Sequence, residues 1–223
     1  LVLALVATLV GYVRTTAALH VAKTSERHAR ETVDDFFTRV SEDTLLNQPG
    51  MQPLRRELLE KALDYYRQFL SERGNDPRIQ DELALTHFRI GQITEQVDAP
   101  EKALASYKQA LAMQERLVTQ QPTSPALLDD LGDTHSAVGG VLLKRQQWES
   151  AIAAYARAAE IRARLATANP GRAEFERKLA SSYMNMGVVE KERGQLEKAQ
   201  TYFLDARSIR RQILVADPQN IHT

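Results

Sequence analysis

The sequence contains no cysteine, which excludes disulfide bridges, thiolate nucleophiles and cysteine-ligated zinc sites together. Neither sign of charge is in excess, since 29 Lys and Arg stand against 29 Asp and Glu. A chain of zero formal charge lacks the global basic field of a general nucleic-acid binder. With 10 Gly and 8 Pro in 223 residues there is no low-complexity segment. At 43% hydrophobic and 26% charged residues the chain is neither disordered nor membrane-embedded throughout, and it should fold.

The residue patterns of catalysis are missing as well. His20, His28, His87, His135 and His222 have no His or carboxylate partner at a metal-ligand spacing. Gly139-Gly140 is no phosphate-cradling loop, because no strand precedes it and no GK[ST] follows. The Gly-rich strand loop, HRD and DFG of a kinase occur nowhere. Acidic pairs such as Asp129-Asp130 are expected on solvated helix faces, and His87 and His135 as packing residues. The expectation is a chain with no catalytic residue, no cofactor and no metal.

One apolar run is present. Residues 1–13, LVLALVATLVGYV, carry no charge and no proline. As a helix they rise about 20 Å, short of the roughly 30 Å of a bilayer core. Three readings fit: the end of a transmembrane helix whose start is cut off, the core of a signal peptide, or a buried helix. The signal peptide lacks its basic leader and a small-residue cleavage site. The truncated span is therefore preferred, and since the first residue is not Met, a preceding segment is expected. Arg14, Lys23, Arg27 and Arg30, opposed only by Glu26, suit either lipid headgroups or a solvated stalk.

Further on, Val33, Phe36, Phe37 and Val40 fall at i, i+3, i+4 and i+7, one face of a helix. Asn47-Gln-Pro-Gly50 breaks the chain, and Pro53 suits the first turn of a second helix. That helix carries Leu54, Leu58, Leu59, Ala62, Leu63, Tyr66, Phe69 and Leu70 on a broad stripe, and Gly74-Asn-Asp-Pro77 closes it. Such a hairpin must pack on whatever follows.

After it the sequence repeats itself. Leu83, Leu131 and Leu179 are 48 apart, and so are Gly91, Gly139 and Gly187. The interval recurs in Ala103, Ala151 and Ala199; in Tyr107, Tyr155 and Phe203; in Ala110, Ala158 and Ala206; and in Pro122, Pro170 and Pro218. Each copy predicts a helix of about 20 residues, a polar turn, and a second helix ending before the proline, which cannot sit in a helix interior. A mid-helix glycine costs about 1 kcal/mol against alanine. One in every copy implies close approach of a neighbour, with the aromatic one turn past the small Ala filling the space left.

These residues resemble the tetratricopeptide repeat, whose signature sets Gly and Ala twelve positions apart, an aromatic four after Ala, and a second Ala three later. Gly91/Ala103/Tyr107/Ala110, Gly139/Ala151/Tyr155/Ala158 and Gly187/Ala199/Phe203/Ala206 carry it. The chain departs in period, 48 against the family's 34, which lengthens each helix by about two turns. It departs too in His87, His135 and Tyr183, where an aromatic is usual. The resemblance implies an all-α, right-handed solenoid with a concave surface lined by first helices. By the family's layout that surface includes Phe88, Gln92, Glu95, Ser136, Lys144, Met184, Val188 and Lys191; Phe88 and Met184 also suit interhelix core. The family's carboxylate clamp is absent, its positions holding Phe88, Gln92 and Arg89, then Ser136, Gly140 and Ala137.

A second resemblance covers the region before the repeats. Val33-Asp-Asp-Phe-Phe-Thr-Arg-Val-Ser-Glu-Asp43, the stretch Leu45 to Leu59, and Ala62-Leu-Asp-Tyr-Tyr-Arg-Gln-Phe-Leu70 look like the juxtamembrane module of planctomycete-type bacterial serine/threonine kinases. In that family a cytoplasmic kinase precedes one transmembrane helix, this module and long tetratricopeptide repeats. The resemblance implies a fragment of such a kinase, with its catalytic domain upstream and its repeats outside the cytoplasmic membrane. The basic flank argues instead for a cytoplasmic location, and domain order is given the greater weight.

The expected organisation is thus the end of a transmembrane helix at 1–22, a helical juxtamembrane module at 23–77, and three repeats at 78–122, 123–170 and 171–218. The expected function is a non-catalytic scaffold for a protein or peptide ligand, tethered to a membrane, with no nucleic-acid partner. A free-standing membrane-anchored adaptor that organises an assembly is the second reading.

Overall fold

The computed structural model describes residues 50–77, 79–97 and 100–216. The apolar run, its basic flank and the helix expected at Val33 to Val40 lie outside the described residues, as does Pro218. Among the described residues every regular element is a helix, and none is long and apolar enough to cross a membrane. The chain divides into two compact units, residues 1–65 and 66–223.

Helix α1, Gln52–Arg73, contains that division. Gly50 precedes it at φ +79, a left-handed conformation, and Pro53 sits in its first turn, where the missing N–H would be unpaired anyway. Leu59, Ala62, Leu63 and Tyr66 are buried at i, i+3, i+4 and i+7. Leu54 is exposed, so the buried stripe is narrower than the apolar residues alone suggest.

Six helices follow as three hairpins: α2, Gln80–Val97, with α3, Pro100–Gln120; α4, Pro125–Lys144, with α5, Trp148–Ala168; and α6, Ala173–Glu192, with α7, Leu196–Ala216. From α2 to α7 consecutive helices pack on each other, and α2 also touches α4. Pro122 and Pro170 stand just beyond α3 and α5, and Pro125 opens α4 behind Ser124.

The turns inside the second and third hairpins are alike. Gln146 N–H donates to Leu143 O and Gln147 N–H to Leu142 O; 48 residues on, Gly194 and Gln195 donate to Lys191 and Glu190. These paired bonds satisfy the last carbonyls of α4 and α6, and they need a left-handed residue, supplied by Gly194 at φ +81 and by Gln146 at φ +57.

The main core is threaded by four helices. Ala103, Leu104 and Tyr107 of α3 meet Val138, Val141 and Leu142 of α4, then Ala151, Ala154, Tyr155 and Ala159 of α5, then Met186 and Val189 of α6. A second cluster joins Leu128 and Leu131 to Ile161, Leu165 and Phe175. Helix α7 buries only Ala199, Ala206 and Ile213, and Leu204, Leu214 and Val215 are exposed.

Candidate functional site

Glycine and ring meet in every hairpin. A β-carbon on Gly91 would stand 2.5 Å from Tyr107 Cε1, and one on Gly139 2.8 Å from Tyr155 Cε1, while Gly187 faces the ring of Phe203. The ring thus lies where a side chain would be, and the first helix approaches the second at that point. Ala103, Ala110, Ala151, Ala158, Ala199 and Ala206 are all buried beside it. The phenol of Tyr107 donates to Glu95 Oε2 at 3.0 Å, and Lys144 Nζ donates to Glu95 Oε1 at 2.6 Å, linking α2, α3 and α4. Burial, and then the charge of Glu95, push the Tyr155 hydroxyl up to about 12.

A cavity of about 350 Å³ opens where α2, α3, α4 and α5 come together. Phe88, Gln92 and Ser136 line it, with Arg89, Gln114, Asp130 and Arg162. The other residues assigned to the binding face lie elsewhere. Glu95 and Lys144 are held by each other, Met184 and Val188 are half-buried on α6, and Lys191 is exposed near that helix's end. Phe88 serves two surfaces: it packs against the main core, its ring 5.7 Å from that of Tyr107, and it walls the cavity.

The most heavily bonded group nearby is Arg162, 5% exposed. Its Nη2 donates to Asp133 Oδ1 at 2.7 Å, and its Nη1 to Ser136 Oγ, Lys178 O and Ser182 Oγ. Lys178 Nζ donates to both oxygens of Asp129 and, at 2.9 Å, to Asp133 Oδ2. A carboxylate shared between two cations offsets the cost of burying them. Burial pulls Lys178 down, but its bonds to Asp129 and Asp133 outweigh it and the net shift is upward.

One sequence-based assignment changes here. Asp129 and Asp130 are not on a solvated face, because α4 turns that side toward α6, where Lys178 takes Asp129. Asp130 is pushed up to about 6, first by burial and then by Asp129 and Asp133, against Lys178 and Arg89. The repeat also marks a class of buried polar positions. Thr86, Thr134 and Ser182, 48 apart, each donate to the carbonyl four residues earlier. The 48-residue interval that relates the apolar positions relates these polar ones too. His87 and His135 are half-buried, and burial pushes both below the ordinary histidine value. Among the described residues no three His, Asp or Glu side chains are grouped to hold a metal.

Residues 179–220 match the tetratricopeptide repeat family. Solved structures with a related arrangement of helices are also found. The crystal structure of BtubC (BKLC) from P. vanneervenii superposes with a TM-score of 0.60 at 20% identity, covering 88% of this chain and 78% of that one. MamA aligns with a TM-score of 0.34 at 17% identity, over 74% of this chain and 96% of its own. No curated protein matches the sequence. The match to the tetratricopeptide family, a kind of repeat commonly used to bind proteins or peptides, thus falls on α6 and α7, and the chain shares its overall helical fold with the BtubC structure.

Proposed function

We propose that this chain is a non-catalytic scaffold for protein–protein interaction. The observation that carries the reading is the recurrence of one hairpin design, glycine under an aromatic ring, with a polar cavity left open between the first helices. Stacked in one sense, such hairpins build a right-handed solenoid, and the face formed by Phe88, Gln92, Glu95, Ser136, Lys144, Met184, Val188 and Lys191 receives an extended segment of the partner. The apolar residues 1–13 anchor the scaffold in a membrane, with the repeats on the outer side. The parent protein is a serine/threonine kinase whose docking or sensing arm this region forms, a reading supported by the order of apolar end, basic flank, module and repeats.

Two experiments test this. Cross-linking in the host, followed by mass spectrometry, compares the parent chain with a Gln92→Ala/Met184→Ala/Val188→Ala variant. Loss of a specific cross-linked protein supports the assigned face, and an unchanged set of partners overturns it. Sequencing upstream of the Leu1 codon tests the parentage: an open frame encoding HRD and DFG motifs supports it, and a start codon directly before Leu1 defeats it.

A further inference from the structure

One stripe along the second helix of a hairpin is covered in two copies and bare in the third. Tyr107, Leu111, Gln114 and Val118 follow i, i+4, i+7 and i+11 on α3, and the 48-residue interval carries them to Tyr155, Ala159, Arg162 and Ala166 on α5. None of the eight is exposed, because α4 packs on α3 and α6 on α5. The same positions on α7 are Phe203, Arg207, Arg210 and Leu214, of which Phe203 is half-buried and the other three are exposed.

The bare stripe is not a finished outer face. A terminal repeat meets water with a polar surface, yet Leu214 is 47% exposed and lies one turn from Arg210. Nor is the charge balanced: among the described residues no carboxylate pairs with Arg207 or Arg210, and the two acids of α7, Glu197 and Asp205, fall outside the stripe. The equivalent of Arg210 one hairpin earlier shows what is missing. Arg162 is held by Asp133 of its own hairpin and by Ser182 of the helix that covers it. The equivalent of Asp133 in the last hairpin is Ser181, whose hydroxyl donates to Arg177 O. Arg210 thus has no acid where Arg162 has one.

We propose that this stripe docks an amphipathic helix of a partner protein, with acidic residues one turn apart against Arg207 and Arg210 and apolar ones against Phe203 and Leu214. A helix is the fitting shape, since α4 and α6 cover the same positions in the two preceding junctions. Guanidinium forks bind carboxylates bidentately, which makes acids the fitting chemistry. Arg207 and Arg210 are three residues apart, so glutamates at i and i+3 or i+4 of the incoming helix meet both. A second copy of this chain is a poor occupant. It would offer α2, where Glu82 and Thr86, the equivalents of Lys178 and Ser182, are already buried. The stripe lies on a second helix, apart from the face assigned to the first helices, and stands whether or not that face does.

Fluorescence anisotropy on the full 223-residue chain tests it, with labelled, lactam-stapled helical peptides of Ala and Leu, about 15 residues long, that carry two glutamates, glutamines or lysines one turn apart. The glutamate peptide is expected to bind about tenfold or more tightly than its glutamine isostere, and the lysine peptide least. Arg207→Gln/Arg210→Gln is expected to erase that preference, and Leu214→Ser to weaken the glutamate and glutamine peptides alike. Arg164→Gln, at an exposed arginine of α5 outside the stripe, should change neither. All these positions are exposed, so circular dichroism should be the same for each variant as for the parent. Equal binding of glutamate and glutamine peptides, an equally tight glutamate peptide broken by a central proline, a double variant that still discriminates, or the same loss in Arg164→Gln would each overturn the assignment. So would phosphatidylserine vesicles that bind the parent and not the double variant while no peptide is preferred, which would make the stripe a lipid contact.

Discussion

A β-carbon at Gly139 would stand 2.8 Å from the Tyr155 ring, whereas one at Gly140 would meet only the Tyr155 hydroxyl, at 3.5 Å. Both substitutions gain about 1 kcal/mol of helix propensity, but only the first drives a methyl group into a buried ring, at a cost of about 1 to 3 kcal/mol. Gly139→Ala is therefore expected to lower stability in urea unfolding by up to about 2 kcal/mol, and Gly140→Ala to leave it equal or slightly raised. Glycine classes were legible in the sequence because close approach admits one residue type at one position. Charge partners were not, since an Asp on a first helix reads the same whether it faces water or Lys178. The carboxyl of Asp130 carries a pH prediction. Its pKa of about 6 in the folded chain exceeds the ordinary 3.8, so the folded state binds the proton more tightly. That stabilisation is complete in acid and is lost as pH rises through about 6. Asp130→Asn should then exceed the parent by about 2 kcal/mol at neutral pH, with the gap closing as Asp130 becomes protonated in acid. His87 and His135, pushed down by burial, weaken both proteins alike in acid and cancel in the comparison. Denaturant melts at the two pH values measure it.

Among the elements, helix existence and order followed from glycine, proline and apolar spacing, and the hairpins α2–α3, α4–α5 and α6–α7 stand where the repeat puts them. What spacing does not convey is which polar groups tie one hairpin to the next. Asp133 carries that role between α4, α5 and α6, because both Arg162 and Lys178 depend on it. Asp133→Ala leaves a guanidinium buried without its carboxylate and is expected to cost about 3 kcal/mol. Lys144→Ala removes an ion pair whose lysine is largely exposed and should cost under about 1 kcal/mol. Equal losses for the two in urea melts would mean that burial does not rank these ties.

For the whole molecule, the repeat was legible because three copies share one interval without insertion, and residues 179–220 match the tetratricopeptide family directly. The cavity was not legible. It arises from differences between copies, Gln114 against Arg162 and Asp130 against Lys178, and a repeat is recognised by what its copies share. The same guanidinium has a further consequence. Arg162 holds α4 through Asp133 and Ser136, and α6 through Ser182 and the carbonyl of Lys178. Peeling the array apart between those helices would break the hydrogen bonds of a buried guanidinium, whereas α7, with three buried residues, is held by less. Fraying from the carboxyl-terminal side should halt at α6: in hydrogen–deuterium exchange the amides of α7 lose protection first, and those of α4, α5 and α6 surrender theirs together.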